Sequence, residues 1–422
     1  MHSVTNAIPT GTIASIPAKA HAHRALICAA LATSPSTILL SRTSKDIDAT
    51  MDSLRGLGAH VVYENKIVTV TPGPASAKGN VVPHESGTTL RLLLPVAASI
   101  CNDVDVDAKG RLPDRPLEPM LGEMKAHGVT FSQDKPPFTM MGRLQGGNFS
   151  MVGDVSSQFF SGLLLAAPQI GLSTITSTTP LQSSDYVTLT TETMRDFGVE
   201  VEHTLPDTNI NEAFTVPFGA SFIGRDNYQI EGDWSNAAIW MVAAGMTGKP
   251  ITITGMNKNS VQADRRIMQV MIDAGCDVVW NGMNVTVTGR ASKPFHADLE
   301  QMPDMLPVMA ALSCSISGES SFVKGARLRL KESDRLVAVA NLVKDLGGTV
   351  REEGDDLYII GSGILKGGHG DCVNDHRLVM AGTLMALISE NPVTLKDSEA
   401  ITKSYPHFFE DWNLLGGNAQ PV

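Results

Sequence analysis

The chain has 422 residues, 42% of them hydrophobic and 18% charged, and a formal net charge of −11. That length exceeds what one core serves and points to two domains of roughly 200 residues, while the acidic balance argues against nucleic acid or an anionic membrane as partner without excluding a locally cationic cleft. No apolar run reaches the ~18 residues of a membrane span, the N-terminal stretch lacks a secretory or transit pattern, and five cysteines without CxxC or Cys/His metal spacing fit reduced thiols, so the cytoplasm and no metal are expected.

From the N-terminus, runs rich in Ala, Leu and Met recur after turn-like starts. They begin near Lys19, Gly87, Asp154, Asp233, Asp304 and Asp375, at spacings of 68, 67, 79, 71 and 71 residues. A second set begins near Asp46, Asp114, Asp185, Asp264, Asp334 and Ser404, at 68, 71, 79, 70 and 70. Most of the second set end in glycine followed by a strand-like stretch: Gly58 before HVVYE, Gly128 before VTF, Gly198 before VEVEH, Gly275 before CDVVW and Gly348 before TVREE. Glycine there fits the left-handed residue that stops a helix, and the β-branched run fits a strand.

Two series sharing one period near 70 predict an α/β (α+β) protein with three units, an extra linker near Pro217–Asn227, and three more units. Each unit reads strand–helix–strand–helix–strand–strand. The first helix of each is almost wholly apolar and must be buried all round; the second carries charge on one face and covers the outside. Buried helices that begin with Ser, Thr, Asp or Gly present free N–H groups, an anion site when they converge.

The basic residues are few and oddly placed. Lys19 and Arg24 open an apolar helix, Arg91 interrupts GTTLRLLLP, and Arg115 lies in the loop AKGRLPDRP. Lys331 and Arg335 sit in RLKESDRL, Arg377 in NDHRLVMA and Lys403 in ITKSYPHFF. Taken singly, each is best explained by an internal salt bridge; their recurrence near equivalent points of a repeat points to bound anions. Ser156, Ser157 and Gln158 start a buried helix, and Ser183 lies just before Tyr186. Tandem serines there can donate to a phosphate, or one can simply cap the helix. Asp304 and Glu332 are carboxylates among cations, suited to general acid or base work, although Glu332 alone would read as a surface ion pair. There is no GxxxxGK[ST], strand-linked GxGxxG, HExxH or GxSxG.

SGTTLRLL, GDVSSQFFSGLLLAAP, DMLPVMAAL, RLKESDRL, DHRLVMA and KSYPHFF, from about residue 16 to the C-terminus, resemble in order and spacing the motifs of the 5-enolpyruvylshikimate-3-phosphate (EPSP) synthase family. The resemblance implies two similar domains, each of three βαβαββ units around buried helices, an inside-out barrel. Residues 1–15 with 228–422 would form one domain, 16–227 would be inserted into it, and the active site would lie in the cleft between them. It implies transfer of the enolpyruvyl group of phosphoenolpyruvate to the 5-hydroxyl of shikimate 3-phosphate, in the shikimate pathway to the aromatic amino acids. Neither metal nor cofactor would take part, and the protein would be a monomer. Lys19, Gly87, Arg115, Gln158, Arg335, Arg377 and Lys403 would hold phosphoenolpyruvate. Ser156, Ser157 and Ser183 would hold the 3-phosphate, Arg24 the shikimate carboxylate, and Tyr186, Asp304 and Lys331 would complete that site. Asp304 and Glu332 would carry the proton transfers, with Lys331 assisting.

The chain also departs from the pattern. The usual Ser-Lys-Ser-x-Ser-Asn-Arg reads Ala18-Lys19-Ala20-His21-Ala22-His23-Arg24, so Ala20 takes the place of a substrate-contacting serine. Glu85 replaces an Asn before the Gly-Thr motif, and Arg327 stands at another substrate-contacting position. Two alternatives stay open at this point: a UDP-N-acetylglucosamine enolpyruvyl transferase, which usually carries a Cys in the loop that here reads Ala108-Lys109-Gly110-Arg111, and a catalytically silent relative that only binds a shikimate-like ligand.

Overall fold

A computed structural model describes residues 1–74, 77–208 and 211–422. The chain divides into two units, Pro17–Ile230 and Met1–Ile16 with Glu231–Val422, each with its own hydrophobic core.

In Pro17–Ile230 the helices are α1 (Lys19–Ala30), α2 (Lys45–Gly56), α3 (Gly87–Ile100), α4 (Met120–Ala126), α5 (Ser157–Ile170) and α6 (Asp185–Asp196). α1, α3 and α5 are the apolar series and lie in the core. Burying each large aliphatic side chain along them contributes about 2 kcal/mol. α3 and α5 approach so closely at Gly162 that an added Cβ would stand 2.5 Å from the Arg91 carbonyl oxygen. In the other unit the helices are α7 (Trp234–Thr247), α8 (Ile267–Asp273), α9 (Leu306–Cys314), α10 (Arg335–Asp345), α11 (His376–Ala386) and α12 (Phe408–Leu414). Every residue of α9 and α11 is buried.

Side-chain caps fix several starts. Ser44, Ser86, Ser156, Asp233, Asp334 and Asp375 each accept a hydrogen bond from a backbone N–H in the first turn that follows. Three starts of the second series fall later than their acidic or hydroxyl markers. Asp114 and Asp264 sit in 3-10 turns ahead of α4 and α8, and Ser404 follows one ahead of α12. Pro116, Pro119 and Pro406 explain the first and last of these delays, since the residue before a proline avoids helical geometry. The glycine stops are left-handed at Gly58, Gly128, Gly198 and Gly275. At the fifth, the left-handed residue is Gly347, with φ of 87°, and not Gly348. Gly348 is instead confined by packing: a Cβ there would lie 2.7 Å from a Val343 methyl.

The described strands form six four-stranded sheets with one shared order. In each, the first two strands run parallel and the remaining pairs antiparallel. Three sheets, those of Lys78–Val81, Asn148–Met151 and His296–Asp298 with their partners, draw their strands from one stretch of chain. The sheet of Ser36–Leu39 instead takes its parallel strand from Tyr228–Gln229, which therefore belongs to this unit and not to the segment after it. In the second unit the N-terminal Gly11–Ala14 opens the sheet of Ile251–Thr254, and His2–Val4 inserts between Val393–Lys396 and Ala419–Pro421. No helix among the described residues is long and apolar enough to cross a membrane.

Candidate active site

α1, α3, α5, α7, α9, α10 and α11 carry no acidic residue in the first turn. α1, α3 and α5 thus leave their positive dipole ends without a carboxylate of their own, whereas Asp233, Asp334 and Asp375 cap α7, α10 and α11, and α2 and α6 place Asp46, Asp48 and Asp185 in the first turn. The candidate residues gather at these starts, in one group per unit.

In Pro17–Ile230, Lys19 Nζ donates to Asp46 Oδ2 at 2.8 Å. The Asp46 carbonyl accepts from Thr89, in the first turn of α3. Beside it stands Gly87, where a Cβ would come within 2.5 Å of Arg115 Nη1; the missing side chain makes room for that guanidinium. Arg91 ties the same loop down, donating to Pro116 O at 3.0 Å and to Gln158 Oε1 at 3.2 Å, and Gln158 in turn donates to Thr88. Ser156 is the cap of α5 and Ser157 its first residue, both buried. Ser183 is buried with a left-handed backbone, φ 53°, just ahead of α6.

Arg24 is almost fully buried. It donates to Thr190 Oγ1 and Ala20 O at 2.7 Å, to Tyr186 O at 3.0 Å and to Ser161 at 3.3 Å. Four of its five N–H donors are thus engaged inside the protein, and burial lowers its pKa to about 10. It braces α1 against α5 and α6. Ala20 contributes its carbonyl to that brace.

In the other unit Arg335 is the hub. Its Nε donates to Asp375 Oδ2 at 2.9 Å, Nη1 to Asp304 at 2.7 Å and Nη2 to Glu332 at 2.7 Å. Lys331 pairs with the same Asp304 oxygen at 3.2 Å. Asp375 also accepts from Ser333 Oγ and from the Arg377 N–H, so it caps α11 and anchors Arg335 together. Arg377 donates from Nη1 to Ser235 O at 2.9 Å. Lys403, buried, donates to Asn374 O at 2.7 Å and holds the left-handed turn ahead of α11. Arg327, half-buried, is close enough to Lys331 to repel its positive charge.

Electrostatics divides the roles. Burial would raise the Asp304 carboxyl, but Lys331, Arg335 and Arg377 outweigh it and hold the group well below the usual carboxylate range. Burial lowers the Lys331 ammonium, opposed by Asp304 and aided by Arg327 and Arg335. Burial also acts against the Arg335 cation, yet Asp375, Glu332 and Asp304 raise it. A neighbouring anionic ligand that drew off Lys331 and Arg377 would make Asp304 a stronger base, so the site can hand proton affinity to a carboxylate when it fills.

The EPSP synthase (3-phosphoshikimate 1-carboxyvinyltransferase) family model matches residues 7–412. The chain belongs to the EPSP synthase family. It is 36% identical over 413 residues to the 3-phosphoshikimate 1-carboxyvinyltransferase of Clostridium kluyveri, covering 96% of this chain and 95% of that one. It is 33% identical to the same-named protein of Methanocorpusculum labreanum, covering 97% of both. Solved EPSP synthase structures from Acinetobacter baumannii share the fold, one with a TM-score of 0.80 at 23% identity over 100% of this chain and 99% of that one.

Asp46, Asp375, Ser235 and Asp264, whose carboxylate accepts from Ser235 Oγ, are members of these clusters that sequence reasoning did not place there. Asp46, Asp264 and Asp375 stood out only as helix markers; the signal for the first and last was a buried cation in need of a counter-charge. Among the described residues no group of three or more His, Cys, Asp or Glu could hold a metal ion. All five cysteines are free and buried.

Proposed function

We propose that this protein transfers the enolpyruvyl group of phosphoenolpyruvate to the 5-hydroxyl of shikimate 3-phosphate with release of phosphate, a step of the shikimate pathway. The observation that carries the reading is the Arg335 hub, which gathers Asp304, Lys331, Glu332 and Asp375 around one guanidinium inside a family of known chemistry. Addition needs a proton delivered to C3 of the enol while the 5-hydroxyl loses one, giving a tetrahedral adduct. Elimination takes a proton back from C3 and breaks the bond from C2 to the phosphate oxygen. Asp304 and Glu332 carry these transfers, assisted by Lys331, whose ammonium burial makes easier to deprotonate. Lys19, Gly87, Arg115, Gln158, Arg335, Arg377 and Lys403 hold phosphoenolpyruvate. Ser156, Ser157 and Ser183 hold the 3-phosphate. Arg24 and Tyr186 face the shikimate ring and carboxylate, with Ala20 and Arg327 lining that side. Dense fixed cations offset the repulsion of two anionic substrates.

The internal salt bridges seen for Lys19 and Arg335 fit this reading, because a cation kept folded beside a carboxylate can exchange that partner for a ligand. The protein works in the cytoplasm, as a monomer, with neither nucleic acid nor membrane as partner, in keeping with its acidic charge and free thiols. Phosphate release from phosphoenolpyruvate, assayed with shikimate 3-phosphate and with UDP-N-acetylglucosamine, tests the reaction. Release is expected with the first acceptor alone. Release with the nucleotide sugar, or with neither acceptor, contradicts the proposal.

A further inference from the structure

Asp264 lies in the 3-10 turn Ala263–Arg266 and is 1% exposed. Its Oδ2 accepts a hydrogen bond from Ser235 Oγ, while its Oδ1 has no partner among the described residues. A carboxylate buried with half its acceptor capacity unused is unfavourable, and an Asn or Ser would make the same contact with Ser235 without a buried charge. A purely structural role therefore does not explain an acid here. Its surroundings do: the carbonyl of that same Ser235 accepts from Arg377 Nη1 at 2.9 Å.

We propose that Asp264 is a positioning residue of the transfer reaction, fixing the first turn of α7 through Ser235 so that the Ser235 carbonyl orients the Arg377 guanidinium for phosphoenolpyruvate. This rests on the reading of the site given above.

The charged groups facing Asp264 are Asp233 at the α7 cap, Asp304 on the turn before α9 and Arg377 on α11. Burial first, then Asp304 and Asp233, raise the Asp264 carboxyl to about 6, against the opposing pull of Arg377 and the Ser235 hydroxyl. An anion bound at Arg377 offsets that pull, which raises the carboxyl further and draws a proton from solution near neutral pH. Phosphoenolpyruvate binding is thus coupled to proton uptake at Asp264, and affinity rises as pH falls from 8 toward 6.

The test uses the full-length enzyme with Asp264→Ala, Asp264→Asn and Ser235→Ala. Asp264→Ala is expected to raise KM for phosphoenolpyruvate about tenfold while kcat and KM for shikimate 3-phosphate stay within about threefold. Ser235→Ala moves KM in the same direction. Asp264→Asn keeps the contact with Ser235 and restores KM to within about threefold at pH 7, but flattens its dependence on pH between 6 and 8. The ionisation of the substrate itself is common to all variants and cancels in the comparison. Asp264→Asn is also expected to melt no lower than wild type, so misfolding does not mask the result. Unchanged KM and an unchanged pH profile in folded Asp264→Ala and Asp264→Asn, or a loss confined to kcat, overturns the assignment. If wild type itself releases no phosphate with either acceptor, it is the reaction that fails instead.

Discussion

His23 stands where the family motif has an Asn, and His21 occupies its variable position. His21 Nε2 hydrogen-bonds with Tyr228 Oη at 2.8 Å, and that hydroxyl donates to Asp196. His23 Nδ1 hydrogen-bonds with Thr50, which continues through Thr89 to Ser86 at the cap of α3. Burial, with a smaller repulsion from Arg24, pushes His21 down to about 4; burial with Lys19 and Arg24 pushes His23 well below its ordinary value. Both rings stay neutral when folded, so the unfolded chain takes up protons first as pH falls through 6.5. Stability present above that pH is lost on acidification, by about 2 kcal/mol near pH 5 for His21, and His23 acts in the same direction. Denaturant titrations should show His21→Gln/His23→Asn losing less stability than wild type between pH 7 and pH 5. Parallel curves would mean that the rings are not kept neutral.

At the same scale, Gly87 is explained by its neighbour. A methyl there must displace the Arg115 guanidinium from 2.5 Å contact. Gly87→Ala is expected to raise KM for phosphoenolpyruvate about tenfold, roughly 1.4 kcal/mol, with kcat within a few-fold. Steady-state kinetics decide it, and an unmoved KM would detach Arg115 from that substrate.

At the scale of elements, the helix starts were legible because capping chemistry is local. Ser86, Asp233, Asp334 and Asp375 mark their helices within one turn. The period near 70 was legible because the apolar series must be buried all round. Pairings were not. Arg335 meets Asp375 40 residues away, Lys19 meets Asp46 27 away, and Arg24 meets Thr190 166 away, and no local pattern encodes such distances. Nor does periodicity reveal that Arg24 spends its donors on the protein, or that strands 2–4 and 11–14 complete sheets begun far along the chain. Asp375 joins both kinds of information. Asn caps a helix about as well as Asp, so losing only the cap would cost well under 1 kcal/mol. Losing the fully buried one of the three carboxylates around Arg335 costs more, up to about 3 kcal/mol. Asp375→Asn should therefore lower the denaturant-unfolding free energy by the larger amount; a drop below about 1 kcal/mol would reduce Asp375 to a cap.

At the scale of the whole molecule, the candidate residues are divided between the units. Lys19, Arg24, Gly87, Arg115, Ser156, Ser157, Gln158, Ser183 and Tyr186 belong to one, and Asp304, Arg327, Lys331, Glu332, Arg335, Arg377 and Lys403 to the other. Each unit keeps its own core. On the proposed function neither set alone suffices: the carboxylates proposed to move protons lie in the second, the serines proposed to hold the 3-phosphate in the first. The proposed reaction needs one pair of substrates to engage both.

Hydrogen–deuterium exchange of the enzyme equilibrated with shikimate 3-phosphate and phosphoenolpyruvate measures this directly. Amides around Lys19, Gly87, Arg115 and Ser157 are predicted to gain protection together with those around Lys331, Arg335 and Arg377. Protection confined to one of the two groups would contradict the shared-substrate account.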